Sequence, residues 1–88
     1  MKVELTGPMR RIMNAHELEI KVSGRTKLIE VLGKLPEPVK NRIFTSEYKI
    51  SPSIMILVNN VDVKSQGIEN VYVEDGDRVV LIPIIHGG

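Results

Sequence analysis

In the run Ile54-Met55-Ile56-Leu57-Val58-Asn59-Asn60-Val61-Asp62-Val63, five apolar residues, three of them β-branched, are followed by two asparagines and a short alternation. A continuous apolar run of this length predicts a central strand. Asparagine tolerates positive φ, so Asn59-Asn60 predicts a tight turn into a short strand over 61–63.

Working outward from this hairpin, Asp75-Gly76 marks a second turn, and the apolar run over 79–85 predicts the last strand. At the other end, Lys2-Val3-Glu4-Leu5-Thr6 alternates polar and apolar, as a half-buried strand does. Residues 17–22 alternate again with Leu18, Ile20 and Val22 on one face, which predicts a hairpin with the first strand. Gly7-Pro8 punctuates the connection, and 8–14 reads as its loop. Thr26 is a suitable N-cap for a helix carrying Leu28, Val31, Leu32 and Leu35 as one apolar stripe, ended by Pro36. Pro38 starts a further turn of helix with Val39, Ile43 and Phe44 inward. Residues 45–52 read as loop, and 66–73 as irregular chain anchored by Ile68 and Val71.

The order is strand, strand, helix, strand, short strand, strand. The first and last strands can lie side by side in parallel at the centre of a mixed sheet, with the helix as crossover. The expected fold is α+β, a ubiquitin-like β-grasp of about five strands with one main helix packed on one face. Residues 1–85 form the domain and 86–88 a protruding tail.

Composition narrows the function. Eighty-eight residues suit one domain, and 42% hydrophobic residues with three aromatics (Phe44, Tyr48, Tyr72) imply an aliphatic core. The net charge of +1 is too small for an electrostatic nucleic-acid footprint, so direct nucleic-acid binding is not expected. No run approaches the roughly 20 apolar residues needed to span a bilayer, so no membrane partner is expected. No signal peptide is read at the start, and a cytoplasmic location is the expectation. With no cysteine there is no disulfide, thiolate metal site or cysteine nucleophile. His16 and His86 lack metal-ligand spacing. No Ser-His-Asp set, P-loop or Gly-rich phosphate loop is present. Neither cofactor, metal nor catalytic residue is expected, and the chain reads as a substrate and carrier rather than an enzyme.

The chemistry is concentrated in His86-Gly87-Gly88, which directly follows the last strand. Glycines pass through narrow channels because they lack Cβ and adopt almost any φ and ψ. A partner can therefore close around the backbone and reach the Gly88 carboxylate. That carboxylate is a poor electrophile until converted to an acyl adenylate, after which an unhindered glycyl carbon is open to a sulfur or amine nucleophile. His86 reads as a solvated side chain of the tail.

Ile56-Leu57-Val58-Asn59-Asn60, the turn Glu74-Asp75-Gly76-Asp77, the strand from Arg78 with Pro83, and the closing Gly87-Gly88 together resemble the MoaD/ThiS group of ubiquitin-like sulfur carriers. Asn60 stands where that group often has glycine, a replacement compatible with positive φ. The closing His86-Gly87-Gly88 also resembles the ubiquitin-related modifiers of eukaryotes. The resemblance implies adenylation of Gly88 by an enzyme of the ubiquitin-activating type and conversion to a thiocarboxylate by a sulfur donor protein. The sulfur would pass to molybdopterin, thiazole or transfer RNA, with molybdopterin synthase large subunit or thiazole synthase as candidate partners. Conjugation to lysines through Gly88 is the alternative, and a β-grasp binding module with an incidental Gly-Gly is a third.

Alternation places Ile54, Ile56, Val58, Val79 and Leu81 on one face of the sheet, and Met55, Leu57, Val80, Ile82 and Ile84 on the other. One helix covers only one face. The second set is therefore expected to form an apolar partner-binding surface.

Overall fold

The structure, a computed structural model, describes residues 1–46 and 49–84. Five strands form the main sheet: β1 (Lys2–Leu5), β2 (Glu17–Glu19), β6 (Ile54–Val58), β7 (Val61–Asp62) and β9 (Arg78–Pro83). Their order is β2-β1-β9-β6-β7. The first and last strands pair in parallel, Val3 with Val79 and Leu5 with Leu81. All other pairs in the sheet are antiparallel. This is the β-grasp expected from the order of elements.

The Asn59-Asn60 turn forms as expected, with φ of 49° and 71°. Positive φ at both central residues matches the right-handed twist of the strands it joins. Asn59 does a second job. Its Nδ2 donates to Asp77 Oδ1 at 3.0 Å, and its Oδ1 accepts from the Arg78 N–H at 3.0 Å. The turn is thereby tied to the start of β9.

The helical layer is divided among α1 (Pro8–Met13), α2 (Leu28–Leu32) and α3 (Glu37–Ile43). Met9, Leu28, Val31, Leu32, Leu35, Val39 and Ile43 are buried against Val3, Leu5, Ile54, Ile56, Val79 and Leu81 of the sheet. No polar or charged residue is buried among those described. Burying a Leu, Ile or Val fully is worth about 1.5–3 kcal/mol, so this aliphatic layer supplies the main favourable contribution to folding.

Several local expectations are corrected. The connection over 8–14 contains α1, which begins at Pro8 and ends on Asn14 at φ 50°. Proline suits the first turn of a helix, where its missing N–H costs nothing. Thr26 does not cap the helix. It lies in the two-residue strand β3 (Thr26–Lys27), paired with β8 (Tyr72–Val73), and its hydroxyl donates to Ser23 O. Pairing with a distant segment overrides the local preference. Residues 45–52 include a small antiparallel pair, β4 (Phe44–Ser46) with β5 (Lys49–Ile50). The second strand is shorter than its alternation, because the pairing with β1 ends at Glu19.

The beginning of the chain is fastened to the turn before β9. The Met1 ammonium donates to Ile20 O at 2.7 Å and lies 3.2 Å from Asp75 Oδ1. The same oxygen accepts from the Val22 N–H at 3.1 Å. That backbone hydrogen bond, and then the ammonium, hold the Asp75 carboxyl below its ordinary value.

Candidate functional site

The site is built around β9. Pairing with β6 sets Val80 opposite Leu57 and Ile82 opposite Met55. Pairing with β1 sets Val80 beside Glu4. These residues lie on the face away from the helices, and none of them belongs to the core cluster. Met55, Leu57 and Ile82 are half-buried, and Ile84 is 37% exposed. Val80 is only 8% exposed. It sits mid-strand with Leu57 and Glu4 on either side, so its neighbours on the same face cover it. The structure thus brings Met55, Leu57, Val80 and Ile82 together on two adjacent strands, with Val80 contributing little surface of its own.

A charged border flanks this apolar strip. Arg78 Nη1 lies 3.1 Å from Glu17 and 3.4 Å from Glu4, and Lys2 lies 4.0 Å from Glu17. All four side chains are substantially exposed, so each pair adds at most about 1 kcal/mol to stability. They give the border a defined arrangement of charge, with Glu17 paired to both Lys2 and Arg78.

The parallel pairing sets the end of β9 beside the end of β1. Pro83 is the last strand residue, and the Ile84 N–H donates to Ser53 O at 2.8 Å. A side chain at Gly7 would begin 3.8 Å from Pro83 Cγ, and Thr6 Oγ1 donates to Leu81 O at 2.9 Å. Thr6, Gly7 and Ser53 therefore surround the end of β9. The expectation that strands one and last run side by side could have pointed to Thr6 and Gly7. Ser53 could be found only from the register with β6. His86, Gly87 and Gly88 lie outside the described residues. Among the described residues no group of three His, Asp or Glu could hold a metal ion, and no helix is long and apolar enough to cross a membrane.

A mixed sheet with parallel first and last strands and helices on one face defines a ubiquitin-like protein. The chain matches the family model described as Urm1 (ubiquitin related modifier) over residues 1–88. Ubiquitin-related modifier 1 of Schizosaccharomyces pombe is 33% identical over 95 residues, covering 100% of this chain and 98% of the relative. The crystal structure of Sulfolobus solfataricus Urm1 superimposes with a TM-score of 0.74 at 28% identity, covering 96% of this chain and 100% of that one. The Amycolatopsis orientalis BexX/CysO complex contains a chain of the same fold, with a TM-score of 0.79 at 24% identity, covering 99% and 98%. The chain belongs to the Urm1 family, and is a ubiquitin-like protein of the sulfur-carrier class.

Proposed function

We propose that the working group of this carrier is the Gly88 carboxylate, and that the chain is a substrate of its partners rather than an enzyme. The observation that carries this reading is the base of the tail. β9 ends at Pro83 beside an apolar face that no helix covers, and Gly87-Gly88 follows a few residues on. Gly88 is the fourth residue after Ile84, and an extended chain of four residues reaches at most about 13 Å. An enzyme seated on the apolar face can therefore take the carboxylate into its own active site.

The chemistry proceeds in balanced steps. A carboxylate oxygen of Gly88 attacks the α-phosphorus of ATP, and pyrophosphate leaves. The terminal sulfur of a donor persulfide then attacks the acyl carbon, and AMP leaves with the bonding pair. A thiol of the donor attacks the inner donor sulfur of the resulting acyl persulfide, releasing the thiocarboxylate and forming a disulfide. The thiocarboxylate sulfur goes to molybdopterin, thiazole or transfer RNA. Conjugation to lysines is the companion outcome, with an ε-amine as nucleophile, and the similarity to ubiquitin-related modifiers supports it.

The partners are an adenylating enzyme of the ubiquitin-activating type and a sulfur donor protein. Molybdopterin synthase large subunit or thiazole synthase would serve as acceptors for the first two fates. The likeness to a chain solved in complex with BexX supports a protein partner of this kind. The cytoplasm, where ATP is available, is the proposed location. Deleting Gly88 is expected to abolish pyrophosphate release with the cognate adenylating enzyme while leaving the thermal melt unchanged. Continued adenylation of the truncated chain would refute the assignment of Gly88.

A further inference from the structure

Pairing between β1 and β9 ends at Leu5 and Leu81. In a parallel ladder the next donor from β9 toward β1 would be the N–H of residue 83. Pro83 has none, so the ladder cannot continue. Gly7, at φ 58°, then carries β1 away into α1. At this level the Thr6 hydroxyl donates to Leu81 O at 2.9 Å, so a side chain makes a bond where the ladder gives out. On the opposite edge the backbone bond from Ile84 to Ser53 O holds β9 to the β6 side. Of the described residues, Thr6 is the one whose side chain hydrogen-bonds to the end of β9.

We propose that Thr6 is a positioning residue for activation of the C-terminal glycine, fixing the end of β9 from which the sequence runs on to Gly88. The inference rests on the reading of Gly88 as the activated group. Docking and positioning are then separable. The apolar strip on β6 and β9 provides affinity for the adenylating enzyme, and the hydroxyl fixes the strand end that precedes Gly88 in sequence. Approach of the carboxylate to the α-phosphorus tolerates little misplacement, since reacting atoms must meet at about 3–3.5 Å. Loosening the end of β9 lowers the fraction of bound complexes that react. Such a change lowers kcat without changing Kd.

The test uses Thr6→Val, which keeps the shape and removes the donor, and Thr6→Ser, which keeps the donor. Adenylation is followed by pyrophosphate release and binding by calorimetry, with the purified adenylating enzyme. Thr6→Val is expected to lower kcat about 3- to 10-fold, the effect of one hydrogen bond, with Kd within about 2-fold of the parent. Thr6→Ser is expected to restore most of the rate. An unchanged kcat in Thr6→Val, or failure of Thr6→Ser to restore it, overturns the proposal. Parallel losses of Kd and melting temperature overturn it as well, because they signify a purely structural role. If the parent chain itself releases no pyrophosphate, the Gly88 reading falls, and the role of Thr6 falls with it.

Discussion

Asn59 and Asn60 occupy backbone positions that most residues avoid, and they do so for different reasons. At Asn60, φ is 71° and the side chain makes no hydrogen bond to the described residues, so the argument rests on conformational tolerance. Asn60→Gly should therefore keep stability within about 0.5 kcal/mol, whereas Asn60→Val should lose about 1–2 kcal/mol. Urea titrations of the three proteins decide the matter, and equal midpoints for Val and Asn would show that the turn is not governed by φ. The tolerance of both asparagines is legible in the sequence. The hydrogen bonds of Asn59 to Asp77 and Arg78 are not, because they form only once β6 and β9 are paired.

The strands of the sheet were the easiest elements to read. Ile54 to Val58 is a strand over the expected residues, and the period-2 alternation put each side chain of β6 and β9 on the face where the register places it. The short helix α1 was hidden because six residues carry too little periodicity. Its usable signals were Pro8 at the start and Met9 and Met13 four residues apart. β3 and β8 were hidden because two-residue strands exist only through each other. The site divides in the same way. The apolar strip follows from alternation, but the cover over Val80 and the Arg78–Glu4–Glu17 border need the neighbouring strands in place. The separation of faces also yields a prediction. Leu57→Lys or Ile82→Lys should weaken binding to the adenylating enzyme by about 1–3 kcal/mol. Because both side chains are only half-buried, the melt should shift far less than for truncation of a core residue such as Leu81, which costs about 2–5 kcal/mol. A titration and a melt on each variant check this. A melt that collapses as Leu81→Ala does would place Leu57 and Ile82 in the structural core instead.

Across the whole molecule, the parallel β1–β9 pair joins the two ends of the sequence, and Asp75 reinforces that closure from the turn before β9. Its carboxylate accepts from the Val22 backbone N–H and faces the Met1 ammonium, and both interactions favour the ionised form. The carboxyl therefore ionises at lower pH in the folded state than in the unfolded chain. A group of this kind stabilises the fold above its unfolded value, near pH 4, and loses that contribution as pH falls through its folded value. Asp75→Asn retains an oxygen that can accept from Val22 but has no charge to offer the ammonium. Its melting temperature should fall below that of the parent at pH 7, by a small amount because the side chain is 64% exposed and solvent screens the pair. As the pH drops below about 4 and then through the lower folded value of Asp75, the parent loses this contribution and the two melting curves should converge. Raising the salt concentration at pH 7 should narrow the gap in the same direction. Melts from pH 7 down to pH 2 supply the check. A gap that stays constant over that range would mean that the shape or hydrogen bonding of Asp75, rather than its charge, fastens the start of the chain to the turn before β9.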